Sequence, residues 1–229
     1  MEFTLLLPCL NEEKTVAVCV RQAAAFLIEN DLDGEVLVSD NGSTDNSIQR
    51  AKEAGARIVH CPEEGYGNAL RFGLREACGK YVILGDCDCS YHFDEALPFV
   101  EALRNGADLV VGNRFALPME PGAMSLSHRY LGVPVLSALG RFFLQSDVID
   151  FHCGLRAVKR ESFLKLNCRS TGMEFASEMI GRASLSGQRI RQVPVKLYRD
   201  GRGHPSHLRS IRDGIRHLIV ILSKCRRYP

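Results

Sequence analysis

Short apolar runs alternate with longer stretches of helical spacing along the first half of the chain. Residues 3–11 (FTLLLPCLN) form an apolar run closed by Pro and Asn, which predicts a buried strand. Residues 12–30 follow with Val16, Val20, Ala24, Leu27 and Ile28 at helical spacing behind an acidic start. The pattern then repeats. Strand-like runs occupy the start of 34–47, then 56–61, 81–88 and 107–114. Helical patterns occupy 47–54, where Asp45 is placed to cap, the end of 63–78 and 93–106, the last starting late at Pro98. Strands that are nearly all apolar, alternating with helices, predict an α/β fold: a mostly parallel sheet covered on both faces.

Such sheets bind ligands beyond the carboxyl ends of their strands. Four of the predicted ends are polar: Pro8, Asn11 and Glu12; Asp40 and Asn41; Asp86 and Asp88; Asn113 and Arg114. This convergence of distant segments on one rim says more than any single motif, because an isolated Asp or Asn ordinarily just opens a turn. On a regular strand, Asp86 and Asp88 point the same way. Two carboxylates that close on one another need a positive partner. They are therefore expected to be left unpaired by the protein and completed by Mg²⁺ or Mn²⁺ carrying phosphate oxygens.

Composition narrows the picture little. A chain of 229 residues with 45% hydrophobic and 24% charged residues is ordinary for a globular domain, and a net charge of +2 selects no partner. The distribution of charge is more telling, since basic residues crowd after Gly187 while the acids there are only Asp200 and Asp213. Nine cysteines at irregular spacings suit reduced thiols in a cytosolic protein rather than a zinc site. Met1 leads straight into a strand-like run, so no signal peptide is expected. No apolar run reaches the roughly 18 residues of a transmembrane helix.

The segments LLLPCLNEE, VSDNGSTDNS, GYGNALRFGL, YVILGDCDCSY, VVGNR, DFHCGLRAVKR, GMEFASEM and QVPVKLYRDGR stand in the order found in family 2 glycosyltransferases. Over residues 3–220 the chain resembles bacterial relatives of the polyprenyl- and dolichol-phosphate mannose or glucose synthases. The resemblance implies a GT-A fold with a Rossmann-like nucleotide-binding half, a nucleotide diphosphate sugar donor, a divalent metal and inversion at the anomeric carbon. It implies a glycosyltransferase domain over 1–205 and a C-terminal amphipathic helix over 206–229. It assigns Pro8, Asn11, Glu12, Asp40, Asn41, Gly65, Gly67, Asn68 and Asp86 to the donor, and Asp86 and Asp88 to the metal. Cys89 departs from the pattern, because close relatives often have Asp there and a thiol is no ligand for a hard cation.

The implied acceptor is a polyprenyl phosphate. A phosphate nucleophile is already ionised at neutral pH, so the protein should offer cations rather than a base. Arg114, Arg129, Arg202, His207 and Arg209 are the expected acceptor-phosphate contacts, with Arg199 a weaker candidate. Asp88, Arg114 and Asp150 are the expected catalytic groups. If the acceptor is instead a hydroxyl of a glycan or lipid headgroup, Asp150 or Glu174 fills the role of base, while His152 reads as structural.

Residues 124–145 and 206–222 are amphipathic. The second places Ile211, Ile215, Leu218, Ile219 and Leu222 together, which suits either an anionic membrane surface or packing on the domain itself. The expected location is the cytoplasm, peripheral at the inner face of the cell membrane. Other classes fit less well. A dinucleotide-binding dehydrogenase needs G-x-G-x-x-G after the first strand, and a nucleotidyltransferase a glycine-rich basic loop; neither is present. A non-catalytic nucleotide-sugar binder is expected to have lost one of Asp86 and Asp88. Nucleic-acid binding lacks an aromatic platform beside the late basic residues.

Overall fold

The computed structural model describes residues 1–203 and 209–225. Among these, seven strands form one sheet: β1 (Phe3–Cys9), β2 (Gly34–Asp40), β3 (Arg57–His60), β4 (Tyr81–Leu84), β5 (Leu109–Asn113), β6 (Arg156–Lys159) and β7 (Ile190–Pro194). Their spatial order is β3-β2-β1-β4-β6-β5-β7. All neighbours are parallel except at β6, which runs antiparallel to both β4 and β5. The central strands are apolar because both their faces are covered: Leu5, Leu6, Leu7, Val82, Ile83, Val110 and Val111 are all buried.

The helices form the two covers. On one face α1 (Val16–Glu29) meets α2 (Ser47–Glu53) and the 3₁₀ turn Phe93–Ala96 that leads into α4 (Leu97–Arg104). On the other, α7 (Phe175–Leu185) gathers α3 (Tyr66–Glu76), α6 (Arg160–Leu166), α5 (Val133–Leu144) and α8 (Ser210–Leu222). A π-helical turn, His128–Gly132, precedes α5. Val220 and Ile221 of α8 enter the same core as the sheet.

Several predicted bounds shift for local reasons. The fourth strand ends at Leu84, so Asp86 and Asp88 lie in the turn beyond it and the pleat does not align them. The first helix begins at Val16, which leaves Glu12 and Glu13 in the preceding turn rather than in its first turn. There they are stitched to the loop after β2: Glu12 N–H donates to Ser47 Oγ at 2.7 Å and Glu13 N–H to Asp45 at 3.2 Å. Asp45 also accepts from Ser47 N–H at 2.9 Å, fastening the start of α2. Pro98 sits in the first turn of α4, where it sacrifices no helical hydrogen bond. The predicted C-terminal helix begins at Ser210; residues 206–208, His207 among them, and 226–229 lie outside the described residues.

The antiparallel β6 is held at the ligand rim by one buried guanidinium. Arg156 donates to the carbonyls of Cys153, Phe151 and Ala176 at 2.7, 2.7 and 2.8 Å, so burying the cation leaves none of these three carbonyls unpaired. It ties the turn before β6 to α7. Where β4 runs out toward Asp86, Phe93 fills the space beneath Gly85; a Cβ there would lie 2.5 Å from the ring. Replacing the fully buried Phe93 by Ala is expected to destabilise the fold by about 3–5 kcal/mol, measured by urea unfolding.

Candidate active site

The carboxyl ends of β1, β2, β4 and β5 and the start of β6 open onto one cleft of about 1300 Å³. Pro8, Glu12, Asn41 and Gly65 line it beyond β1 and β2. Asp86, Asp88 and Arg114 line it beyond β4 and β5, with Arg202 beside Asp88, and Arg209, Arg212 and Arg216 line it on the α8 side. Residues from segments far apart in the chain therefore do converge.

At the centre the two carboxylates are not unpaired, contrary to expectation. Asp86 accepts the Tyr66 hydroxyl at 2.8 Å. Asp88 accepts Ser90 N–H at 2.9 Å and the Ser90 hydroxyl, and forms an ion pair with Arg202 at 2.9 Å. The physical reason is the one that suggested a metal: two like charges at a buried rim need compensation, and the protein supplies a hydroxyl and a guanidinium. Burial, and then the Asp88 charge, push the Asp86 carboxyl up to about 6, against the pull of the Tyr66 hydroxyl and of Arg202 and Arg156. Burial works against the charge on Arg202, but Asp88, Asp200 and Glu12 outweigh it and raise its pKa.

Tyr66 carried no obvious signal in the sequence, beyond being an aromatic residue between two glycines at a helix start. Burial, reinforced by Asp86, raises its pKa well above the usual range, so it remains a donor. Gly154 carries no such signal either. A Cβ there would lie 2.2 Å from Asp86 Oδ2, so only glycine lets β6 approach the carboxylate.

Several expected donor residues stand one layer behind the cleft. Asn41 lines it, yet its amide is spent on the loop before α3: Oδ1 accepts Gly65 N–H at 2.7 Å and Nδ2 donates to the Glu63 carbonyl at 2.8 Å. Asn68 donates to the Glu64 carbonyl at 2.9 Å and accepts from Arg71 at 3.0 Å. Gly67 is a packing glycine, since a Cβ would lie 2.5 Å from the Ser170 carbonyl. Asp40 accepts Ser43 N–H at 3.0 Å and meets His60 Nδ1 at 3.0 Å. Asn11 accepts Thr44 N–H at 2.8 Å.

Arg114 and Asp150 form a two-pronged buried pair, Nε to Oδ2 at 2.6 Å and Nη2 to Oδ1 at 2.8 Å. Asp150 also accepts His152 N–H at 3.1 Å and is fully buried, so both its oxygens are engaged. Glu174, the other candidate base, is buried too and accepts Arg216 at 2.6 Å. The expected general-base role thus meets carboxylates committed to arginines. Arg129 lies off the cleft, with its guanidinium over Tyr130, 5.5 Å from the ring centroid. Arg199 is tied to the loop 120–121 through its backbone N–H on Glu120 and its side chain on the Pro121 carbonyl.

His152 and His217 meet edge to face at 4.4 Å in the cleft wall. Burial lowers both pKa values, that of His217 to about 3, so two neutral imidazoles line this part of the cleft. Among the described residues no three or more His, Cys, Asp and Glu side chains converge as a ready-made metal cage. A pair of carboxylates with room for substrate oxygens is what Mg²⁺ or Mn²⁺ uses, whereas Cys89 turns its thiol onto Cys19.

A sequence profile of the family described as "Glycosyl transferase family 2" matches residues 4–166. The chain is 35% identical over 221 residues to the low-salt glycan biosynthesis hexosyltransferase Agl6 of Haloferax volcanii, covering 96% of this chain and 52% of that protein. It is 33% identical over 211 residues to the glycosyltransferase AglJ of the same organism, covering 92% of this chain and 67% of that one. This chain thus spans about half the length of Agl6. Among solved structures, glucosyl-3-phosphoglycerate synthase of Mycobacterium tuberculosis superposes with a TM-score of 0.74 at 25% identity, covering 100% of this chain and 81% of that one. The same enzyme crystallised with Mn²⁺ and UDP-glucose superposes with a TM-score of 0.73 at 25% identity, covering 100% and 80%.

Two outcomes are expected. Since Asp86 keeps its proton to about pH 6 when folded, against an ordinary 3.8, the folded state binds a proton that the unfolded chain has released. Without metal, stability should fall by about 2–3 kcal/mol as pH rises from about 4 to 6. Asp86→Asn should flatten that slope in parallel denaturant titrations. Gly154→Ala, by pressing on Asp86 Oδ2, should move the pH midpoint of that slope in the same titrations, with circular dichroism unchanged.

Proposed function

Because this chain belongs to glycosyl transferase family 2, we propose that it transfers a hexose from a nucleotide diphosphate sugar to a polyprenyl phosphate, inverting the anomeric carbon. The supporting observation is the continuity of the cleft. It runs from the paired carboxylates, past Arg114, to a cationic wall on α8. Beside that wall, Leu126, Tyr130, Leu131 and Ile211 stand 72, 70, 64 and 81% exposed.

In this reading the nucleotide lies along Pro8, Glu12, Asn41 and Gly65. Asp86 and Asp88 would hold Mg²⁺ or Mn²⁺, which when bound supplies positive charge to the leaving diphosphate. Arg202 pairs with Asp88 here, and with a cation held by the carboxylates its guanidinium would be available to donor phosphate oxygens. Asp150 fixes the plane of Arg114, which presents its guanidinium to the acceptor phosphate, and Arg209 adds a second cation on the α8 side. No base is required, because the acceptor is already an anion. That both Asp150 and Glu174 are bound to arginines favours a phosphate acceptor over a hydroxyl.

The exposed apolar residues before and along α5, with Ile211 and Ile215 of α8, rest on the membrane surface in this reading, beside Arg212 for anionic headgroups. No helix among the described residues is long and apolar enough to cross a membrane.

A panel of UDP- and GDP-hexoses with Mg²⁺ or Mn²⁺ tests the assignment, with polyprenyl phosphate, 3-phosphoglycerate and water as acceptor arms. Glycolipid is the expected product, and transfer confined to a soluble acceptor would overturn the reading. Asp88→Ala should cut turnover by on the order of 10²–10³ while the protein stays folded. Arg209→Ala should weaken use of the lipid phosphate about tenfold, the loss of one charge-assisted hydrogen bond, and leave donor hydrolysis unchanged.

A further inference from the structure

The turn that carries Asp86 and Asp88 is flanked by thiols that sugar transfer does not use. Cys19, on α1, and Cys89, directly after Asp88, bring their sulfurs to 3.5 Å. Cys19 is buried and Cys89 only half-buried, so a small reagent reaches the pair from the Cys89 side. Cys9 and Cys87 also neighbour one another, but both are buried. A disulfide requires the sulfurs to close to about 2.05 Å, a movement of roughly 1.5 Å from where they stand.

That movement falls on a segment outside any strand ladder. Cys89 has φ +64, a conformation that residues other than glycine rarely adopt. The turn is held by the bonds from Ser90 to Asp88 and by Gly201 N–H on the Asp88 carbonyl at 2.7 Å. Opposite, Cys19 is anchored in a helix that packs on the sheet, so the turn is the part that gives.

We propose that Cys19 and Cys89 are a reversible disulfide site that switches the carboxylate turn. The oxidant is a small-molecule disulfide. The Cys89 thiolate attacks one of its sulfurs, forming a mixed disulfide and expelling one thiolate. The Cys19 sulfur then attacks Cys89 Sγ, closing the internal bond and expelling the second. Two electrons pass from the cysteines to the reagent, and their two protons end on the two departing sulfurs. Closure draws Cys89 toward α1 and, with it, shifts the adjoining Asp88 relative to Asp86. The effect on metal and nucleotide rests on the function proposed above; formation of the bond does not.

The test uses the whole chain in buffers of stepped ratios of oxidised to reduced dithiothreitol. Free thiols are alkylated and mapped by peptide mass, and binding of UDP or GDP with Mn²⁺ is followed by calorimetry. A Cys19–Cys89 cross-link is expected, with nucleotide affinity falling roughly 10–100-fold, the scale for a shift of about 1 Å at reacting groups, and returning on reduction. Cys19→Ser should bind as the reduced protein does and ignore the oxidant. Nine alkylatable thiols throughout, a cross-link elsewhere such as Cys9–Cys87, or a Cys19–Cys89 bond with unchanged affinity would overturn the proposal. Should the reduced protein bind neither nucleotide, the assigned function fails, while the peptide map still decides whether the thiols join.

Discussion

Two negative charges one residue apart at the end of a buried strand constrain everything around them. Burial alone penalises each carboxylate, and proximity penalises the pair. The fold answers from three directions. Tyr66 comes from the start of α3, Arg202 from the loop after β7, and Arg156 from β6, which is ordered against the flow of its neighbours. None of these groups is close to the carboxylates in sequence. The architecture can be seen as a means of assembling compensation around a charge pair from segments far apart in the chain.

How much of this was legible in the chain follows from physical type. Four of the first five strands were readable as mostly apolar runs buried in the sheet, and the edge strand β3 (RIVH), only half-buried, from its Ile58 and Val59. β6 and β7 (RAVK, IRQVP) escaped because each is short and mixes basic or polar residues with a few apolar ones: β7 lies at the sheet's edge, while β6, paired on both sides, buries Arg156 on carbonyls, so no apolar run stands out. At the site, Asp86, Asp88 and Arg114 were readable as polar residues at strand ends. Asn41 and Asn68, which the family resemblance assigns to the donor, show a further limit: an amide that can bond a ribose can equally bond a loop, and theirs do. Tyr66 and Gly154 were invisible because their roles exist only as distances between segments far apart in the chain.

The C-terminal helix makes a similar point about faces. Its apolar ridge of Ile211, Ile215 and Leu222 turns outward, while Asp213, His217, Val220 and Ile221 turn in. Polar residues on the buried side are satisfied locally: His217 meets Ser177 at 2.8 Å and Asp213 accepts Arg209 N–H at 2.7 Å. Arg216 of this helix joins Glu174 and Thr171, and the backbone at 170–172 is what Gly65 and Gly67 close upon. The helix and the loop that opens α3 therefore share a wall of the cleft.

The reversed direction of β6 has a consequence for how such a protein diversifies. Because β5 runs out to the rim and β6 starts back from it, the chain between Asn113 and Arg156 departs and returns on the same side of the sheet. That excursion works as a cassette. Between Phe115 and Ile149 it can be lengthened, shortened or exchanged without rethreading a strand, so this stretch of the rim can be rewritten while Gly154, at its returning end, keeps its place against Asp86.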